Sequence, residues 1–256
     1  MGILDGRAVL ITGAASGIGR ATALDAHAEG ARLLLSDVDA GGGEALAAAI
    51  TADGGTASFA VCDVTDEAQV EALVAAARER LGGLDGALNC AGILGTVGLT
   101  ADTAYEDWRR ILDVDLNGVF LCTKHELRAM VGNGGGSIVN MASAAGLIGW
   151  PGAIGYVAAK HGVVGLTKAA ALEYADQGIR VNSVCPSYTE TPMVADLFDN
   201  LLGGDPAAPA AARANHPIGR FAQPAEIAGA CVWLLSDKAS FVTGTAMSVD
   251  GGYTAP

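Results

Sequence analysis

Tyr156 and Lys160 stand four positions apart, and Ser143 precedes the tyrosine by thirteen. On a helix, residues at that first spacing share one face, a single turn apart. The three side-chain types meet in one chemistry. Oxidising an alcohol by hydride transfer requires a base for the hydroxyl proton, and reducing a ketone requires the same group as an acid. A free tyrosine has a pKa near ~10 and is mostly protonated at neutrality. One ammonium at about 4 Å, with an effective dielectric near 20, supplies on the order of 4 kcal/mol, equivalent to about three pH units. Lys160 is therefore expected to lower the Tyr156 pKa into working range. Ser143 is expected to donate a hydrogen bond to the substrate oxygen as negative charge develops there.

Such a trio works only if a scaffold brings it beside a hydride carrier. Short apolar runs at 8–12, 32–36, 57–62, 86–89, 137–141, 181–185 and 246–249 alternate with helical patterns at 19–29, 43–52, 67–81, 105–130, 156–175 and 225–235. Most runs are continuous, as parallel strands buried on both faces require. Strand and helix in alternation predict an α/β fold, a Rossmann-type doubly wound parallel sheet flanked by helices. One domain over residues 1–256 is expected, with a substrate flap at about 187–221. Its low-complexity part, 202–214, reads as a surface loop or a mobile cover. Ligands of such sheets bind beyond the carboxyl ends of the strands, and Ser143 ends the fifth run.

The first run leads directly into Thr12-Gly-Ala-Ala-Ser-Gly-Ile-Gly19, which opens the first helix. Gly13 permits a tight turn, Gly17 lets backbone N–H groups approach a pyrophosphate, and Gly19 allows close helix–sheet packing. Asp37 ends the second run, where a carboxylate accepts hydrogen bonds from ribose hydroxyls and repels a 2′-phosphate. NAD(H) is thus expected over NADP(H). Asp63 and the Asn89-Cys-Ala-Gly92 stretch end the third and fourth runs on the same rim.

A net charge of −13 disfavours nucleic acid as a partner. No apolar stretch is long enough for a membrane span, and residues 1–5 show no leader pattern, so a cytoplasmic location is expected. The five cysteines are scattered and never form C-x-x-C, which favours buried free thiols over disulfides or a metal site.

Together these motifs make the chain closely resemble the short-chain dehydrogenase/reductase family, from Gly6 to Tyr253. The resemblance rests on the glycine turn, Asn89-Cys-Ala-Gly92, Asn117, Ser143, Tyr156-Val-Ala-Ala-Lys160 and Val249-Asp-Gly-Gly252. It implies that Tyr156 is the acid/base, that Lys160 tunes it and holds the nicotinamide ribose, that Ser143 orients substrate, and that Asn117 supports a proton relay. Implied dinucleotide contacts include Ser16 and Ile18 in the turn, Asp63 with Val64 toward adenine, and Asn89, Ala91 and Gly92 on the adenosine side. Pro186, Thr189, Thr191 and Met193 are implied at the nicotinamide end, Thr191 at the carboxamide. A homotetramer formed through the helices at 105–130 and 156–175 is implied as well. The chain departs from the family where Ser187 replaces a glycine and Thr189 an isoleucine, which predicts a restricted backbone beside the nicotinamide.

Ala145, Trp150 and Tyr188, with Ser143 and Tyr156, are expected to face a substrate. The segments around them, 93–96, 145–150 and 193–198, are mainly apolar and lack a cationic clamp, so a small neutral alcohol or ketone is expected, a ring included. Two other functions fit less well. An NADPH-dependent 3-oxoacyl-(acyl-carrier-protein) reductase would want a basic docking patch. A non-catalytic dinucleotide-sensing scaffold would have no use for a tuned phenol.

Overall fold

The computed structural model describes residues 2–255. The apolar runs form seven strands: β1 (Ala8–Thr12), β2 (Arg32–Asp37), β3 (Thr56–Val61), β4 (Gly86–Asn89), β5 (Gly136–Met141), β6 (Ile179–Pro186) and β7 (Ala246–Val249). They make one sheet in the order β3-β2-β1-β4-β5-β6-β7, and every pairing is parallel. The order reverses between β1 and β4, the place where doubly wound sheets open a crevice. The register brings Thr12 level with Ser36 and Asn89, and Asn89 level with Asn140, so the strand ends form one rim.

Helices α1 (Gly17–Ala28), α2 (Ala40–Ala52) and α9 (Pro224–Leu235) cover one face; α3 (Glu67–Leu81), α5 (Val119–Met130) and α6 (Ile154–Tyr174) cover the other. Alternating strand residues feed two cores: Val9 and Ile11 join the first layer, Ala8 and Leu10 the second. Local chemistry sets the helix ends. Asp66 caps α3 through the N–H groups of Ala68 and Gln69, and Gly82 closes it in the left-handed region at φ 70°.

Two elements differ from the sequence expectation. The helix expected at 105–130 is α4 (Tyr105–Leu112), then a π turn over Asp113–Gly118, then α5. Within 202–214 lies a short helix, α8 (Ala208–Ala214), which follows α7 (Pro192–Asp196) and a π turn over Leu197–Leu201. Its alanines and a proline in the first turn favour that helix. No described helix is long and apolar enough to cross a membrane. Among the described residues no cluster of His, Cys, Asp and Glu is arranged to hold a metal.

Candidate active site

Two cavities meet over the carboxyl ends of the strands. The larger, about 310 Å³, runs from Asp37 past the glycine turn to Lys160; the smaller, about 80 Å³, lies between Trp150, Tyr188 and Leu197. Ser143 and Tyr156 line both. Ser143 leaves β5 in extended backbone and accepts the Ala145 N–H at 3.1 Å, which fixes its hydroxyl at the rim. Tyr156 comes from the first turn of α6 and is buried, with the Trp150 ring edge-on at 6.2 Å.

The larger cavity fits a dinucleotide. Gly13 has φ 65°, and a Cβ there would come within 2.6 Å of the Ala91 backbone nitrogen. Gly17 has φ 52°, with the Thr191 methyl 3.3 Å from where a Cβ would be; a Cβ on Gly19 would lie 2.0 Å from the Gly13 carbonyl oxygen. These positions leave a cradle of bare backbone at the start of α1. Ser16, its N-cap, makes no side-chain cap bond, and the first turn carries no acidic residue, so an anion there meets N–H groups and no repelling charge. Asp37 closes the far end, held by the Ala15 N–H at 2.9 Å and the Asp39 N–H at 3.1 Å. Ile18, Asp63, Val64, Ala91, Gly92, Pro186, Thr189, Thr191 and Met193 also line this cavity.

At the reactive end Lys160 is buried. Its Nζ donates to the Met141 carbonyl at 3.2 Å, lies 3.1 Å from Asp115 Oδ2, and stands 5.3 Å from the centre of the Tyr156 ring. The Asp115 side chain is fully buried; its Oδ1 accepts the Ile93 N–H at 2.8 Å. Oδ2 has no hydrogen-bond partner of good geometry, so its charge is answered by the ammonium alone.

This arrangement corrects the expected direction of the Tyr156 shift. Burial raises its pKa above the ordinary tyrosine value, Lys160 pulls it down, Asp115 pushes it up again, and a hydrogen bond with Ser143 lowers it; the net direction is upward. Burial alone would depress Lys160, but Asp115 and Tyr156 outweigh it and hold the ammonium above its usual value. The sequence expectation weighed the lysine without its counter-charge or the loss of water.

Two expected site residues are not brought to the cavity. Asn117 is exposed on the outer side of the π turn and donates to Asp113 at 2.9 Å; the inward position of that turn belongs to Asp115. An acidic residue between Val114 and Leu116 was the available signal, but the register change of a π turn is invisible in the sequence. The Asn89 side chain is buried beneath the rim, donating to Glu126 at 2.9 Å and to Asn140 at 3.0 Å. Burial pushes the Glu126 carboxyl up to about 7. Ser187 brings no strain, since no non-glycine among the described residues has positive φ. Its hydroxyl lies 2.9 Å from His216 Nε2 and 3.1 Å from the Asp250 carbonyl.

The smaller cavity has aromatic walls. Tyr188 meets Trp150 edge-on at 5.9 Å and stacks on Phe198 at 5.9 Å and on Phe221 at 5.4 Å. Ala145 completes the wall next to Ser143, and no charged side chain lines it. Burial pushes the Tyr188 phenol up to about 12, so it stays neutral.

A family model described as enoyl-(acyl carrier protein) reductase matches residues 13–254. The chain is 46% identical over 256 residues to the 2,5-dichloro-2,5-cyclohexadiene-1,4-diol dehydrogenase of Sphingobium indicum, covering 100% of both chains. It is 47% identical over 249 residues to the cyclohexanol dehydrogenase of an Acinetobacter species, covering 97% of this chain and 95% of that one. The crystal structure of levodione reductase superposes with a TM-score of 0.94 at 43% identity, covering 98% of each chain.

Proposed function

Because the chain belongs to the short-chain dehydrogenase/reductase family, we propose that it is an NAD(H)-dependent oxidoreductase interconverting a neutral cyclic secondary alcohol and its ketone, with Tyr156 as acid/base. The carrying observation is that Ser143 and Tyr156 line both cavities, so a substrate oxygen in the smaller one meets both hydroxyls at the mouth of the larger. The family uses a nicotinamide dinucleotide, which when bound supplies or accepts the hydride. Tyr156 takes the alcohol proton in oxidation and returns it in reduction, and Ser143 orients the oxygen. Lys160 favours the phenolate whenever the proton has left.

Asp37 supports NAD(H) over NADP(H): with Asp63 it makes its end of the cavity acidic, and among the lining residues the sole Lys or Arg is Lys160 at the other end. An uncharged aromatic chamber supports a neutral substrate. Two relatives carry a cyclohexane-type alcohol in their names, which supports a six-membered ring. A homotetramer is supported by Tyr105, Phe120 and Leu172, large apolar side chains exposed on α4, α5 and α6. The five free cysteines agree with a cytoplasmic location.

The test is a turnover screen with NAD⁺ and NADP⁺ against neutral ring alcohols, a ring alcohol bearing a carboxylate, and, in reverse, a β-ketoacyl thioester. Reduced NAD⁺ with the neutral rings is the expected result. Turnover confined to NADP⁺ or to the thioester overturns the reading, and NAD⁺ binding without turnover of any alcohol favours the sensor function.

A further inference from the structure

Resting on the role given to Tyr156 above, we propose that Asp115 is a positioning residue whose carboxylate holds the Lys160 ammonium and sets the pH at which the Tyr156–Lys160 pair releases its first proton.

The geometry separates this from ordinary core packing. A buried carboxylate without a partner is costly, and Asp115 is fixed on both oxygens: Oδ1 by the Ile93 N–H at 2.8 Å, Oδ2 by Lys160 at 3.1 Å. The π turn places it there, and such bulges concentrate at functional sites. A Cβ on Gly92 would lie 3.2 Å from Asp115 Oδ2 and 3.5 Å from Lys160 Nζ, so a side chain there would crowd both members of the pair. An ammonium alone would draw the phenol strongly toward phenolate. Paired with a carboxylate at contact distance, it presents a near-neutral dipole, whose pull on the ring is much weaker.

Few other ionisable groups share this space. Cys90 faces the pair from the end of β4, but burial pushes its thiol up to about 12, so it stays neutral. On the π turn, Asp113 is taken up by Asn117. On α4, Arg110 pairs with Asp107 on the outside; on α5, Lys124 and His125 engage Glu67, and Glu126 bonds to Asn89. On β6, Arg180 binds the Ser236 carbonyl, and on α6 itself His161 and Lys168 are exposed. Among the described residues Asp115 is thus the one carboxylate placed to oppose Lys160. Burial raises the pKa of Asp115, and Lys160 and the Ile93 N–H oppose that rise.

Phenolate absorbance of the coenzyme-free protein tests this without turnover. The difference between wild type and Tyr156→Phe isolates Tyr156, whose midpoint is expected above the ordinary value of about 10. In Asp115→Asn, which keeps an acceptor for the Ile93 N–H, that midpoint is expected to fall by about one pH unit, and the acid limb of kcat/KM for alcohol oxidation to move with it. A wild-type midpoint at or below the ordinary tyrosine value overturns the proposal, and this measurement needs no folded Asp115 variant. An unmoved midpoint in folded Asp115→Asn overturns it too. Full activity of Tyr156→Phe would instead sink the proposed function, while the absorbance titration would still decide the role of Asp115.

Discussion

The Asp37 carboxylate accepts the Ala15 N–H at 2.9 Å, which ties the acidic end of β2 to the glycine turn after β1 across one end of the larger cavity. The bond fixes where the negative charge stands. Asn at this position keeps an acceptor for Ala15 and removes the charge. Asp37→Asn should lower the ratio of kcat/KM with NAD⁺ to that with NADP⁺ by at least about tenfold, the effect of roughly 1.4 kcal/mol. Initial rates with both coenzymes measure it, and an unchanged ratio removes Asp37 from coenzyme choice.

Tyr156→Phe deletes one hydroxyl and keeps the ring against Trp150. Turnover should drop by at least about 100-fold, the lower scale of general acid–base catalysis, while NAD⁺ affinity stays near wild type. Steady-state kinetics and coenzyme fluorescence titration separate the two effects. Equal losses in both would mark the residue as structural.

Lys160→Met strands the Asp115 carboxylate in a fully buried position. Breaking a buried pair from one side costs about 3–5 kcal/mol, so the single variant should unfold at markedly lower denaturant. Adding Asp115→Asn removes the stranded charge and should recover most of that stability while the protein stays inactive. Urea midpoints of both variants check this; no recovery in the double variant would show that the charge was not the cause.

Glu126 is an acid whose folded pKa, about 7, lies above its ordinary 4.5 because burial disfavours the charged form. A raised carboxyl pKa means that the stability it contributes is fully present below about pH 4.5 and is lost as pH rises through about 7. The loss is on the order of 3 kcal/mol at about 1.4 kcal/mol per pH unit. Glu126→Gln abolishes it, so the variant's stability relative to wild type should rise by that amount between pH 4.5 and 8. Denaturant unfolding across that range measures the difference, and a flat difference would show that the carboxyl reaches solvent.

Much of this protein was legible one residue at a time. Continuous apolar runs have one stable use in a chain of this kind, a parallel sheet covered on both faces, and the runs at 8–12, 86–89 and 246–249 coincide with β1, β4 and β7. The glycine turn was legible because backbone sterics act locally: Gly13 and Gly17 adopt positive φ, and Gly19 has no room for a side chain. The spacing of Tyr156 and Lys160 followed from the pitch of one helix.

What the sequence alone determined was therefore whatever local rules fix: strand and helix periods, turn glycines, and the residue types able to move a proton. Tertiary structure alone decided which charges meet. Asn117 and Asp115 are two positions apart in the chain, yet a π turn sends one to solvent and seats the other 3.1 Å from Lys160. Electrostatic balance at Tyr156 depends on burial and on a partner as far along the chain as Asp115, 41 positions away, and no local pattern encodes either.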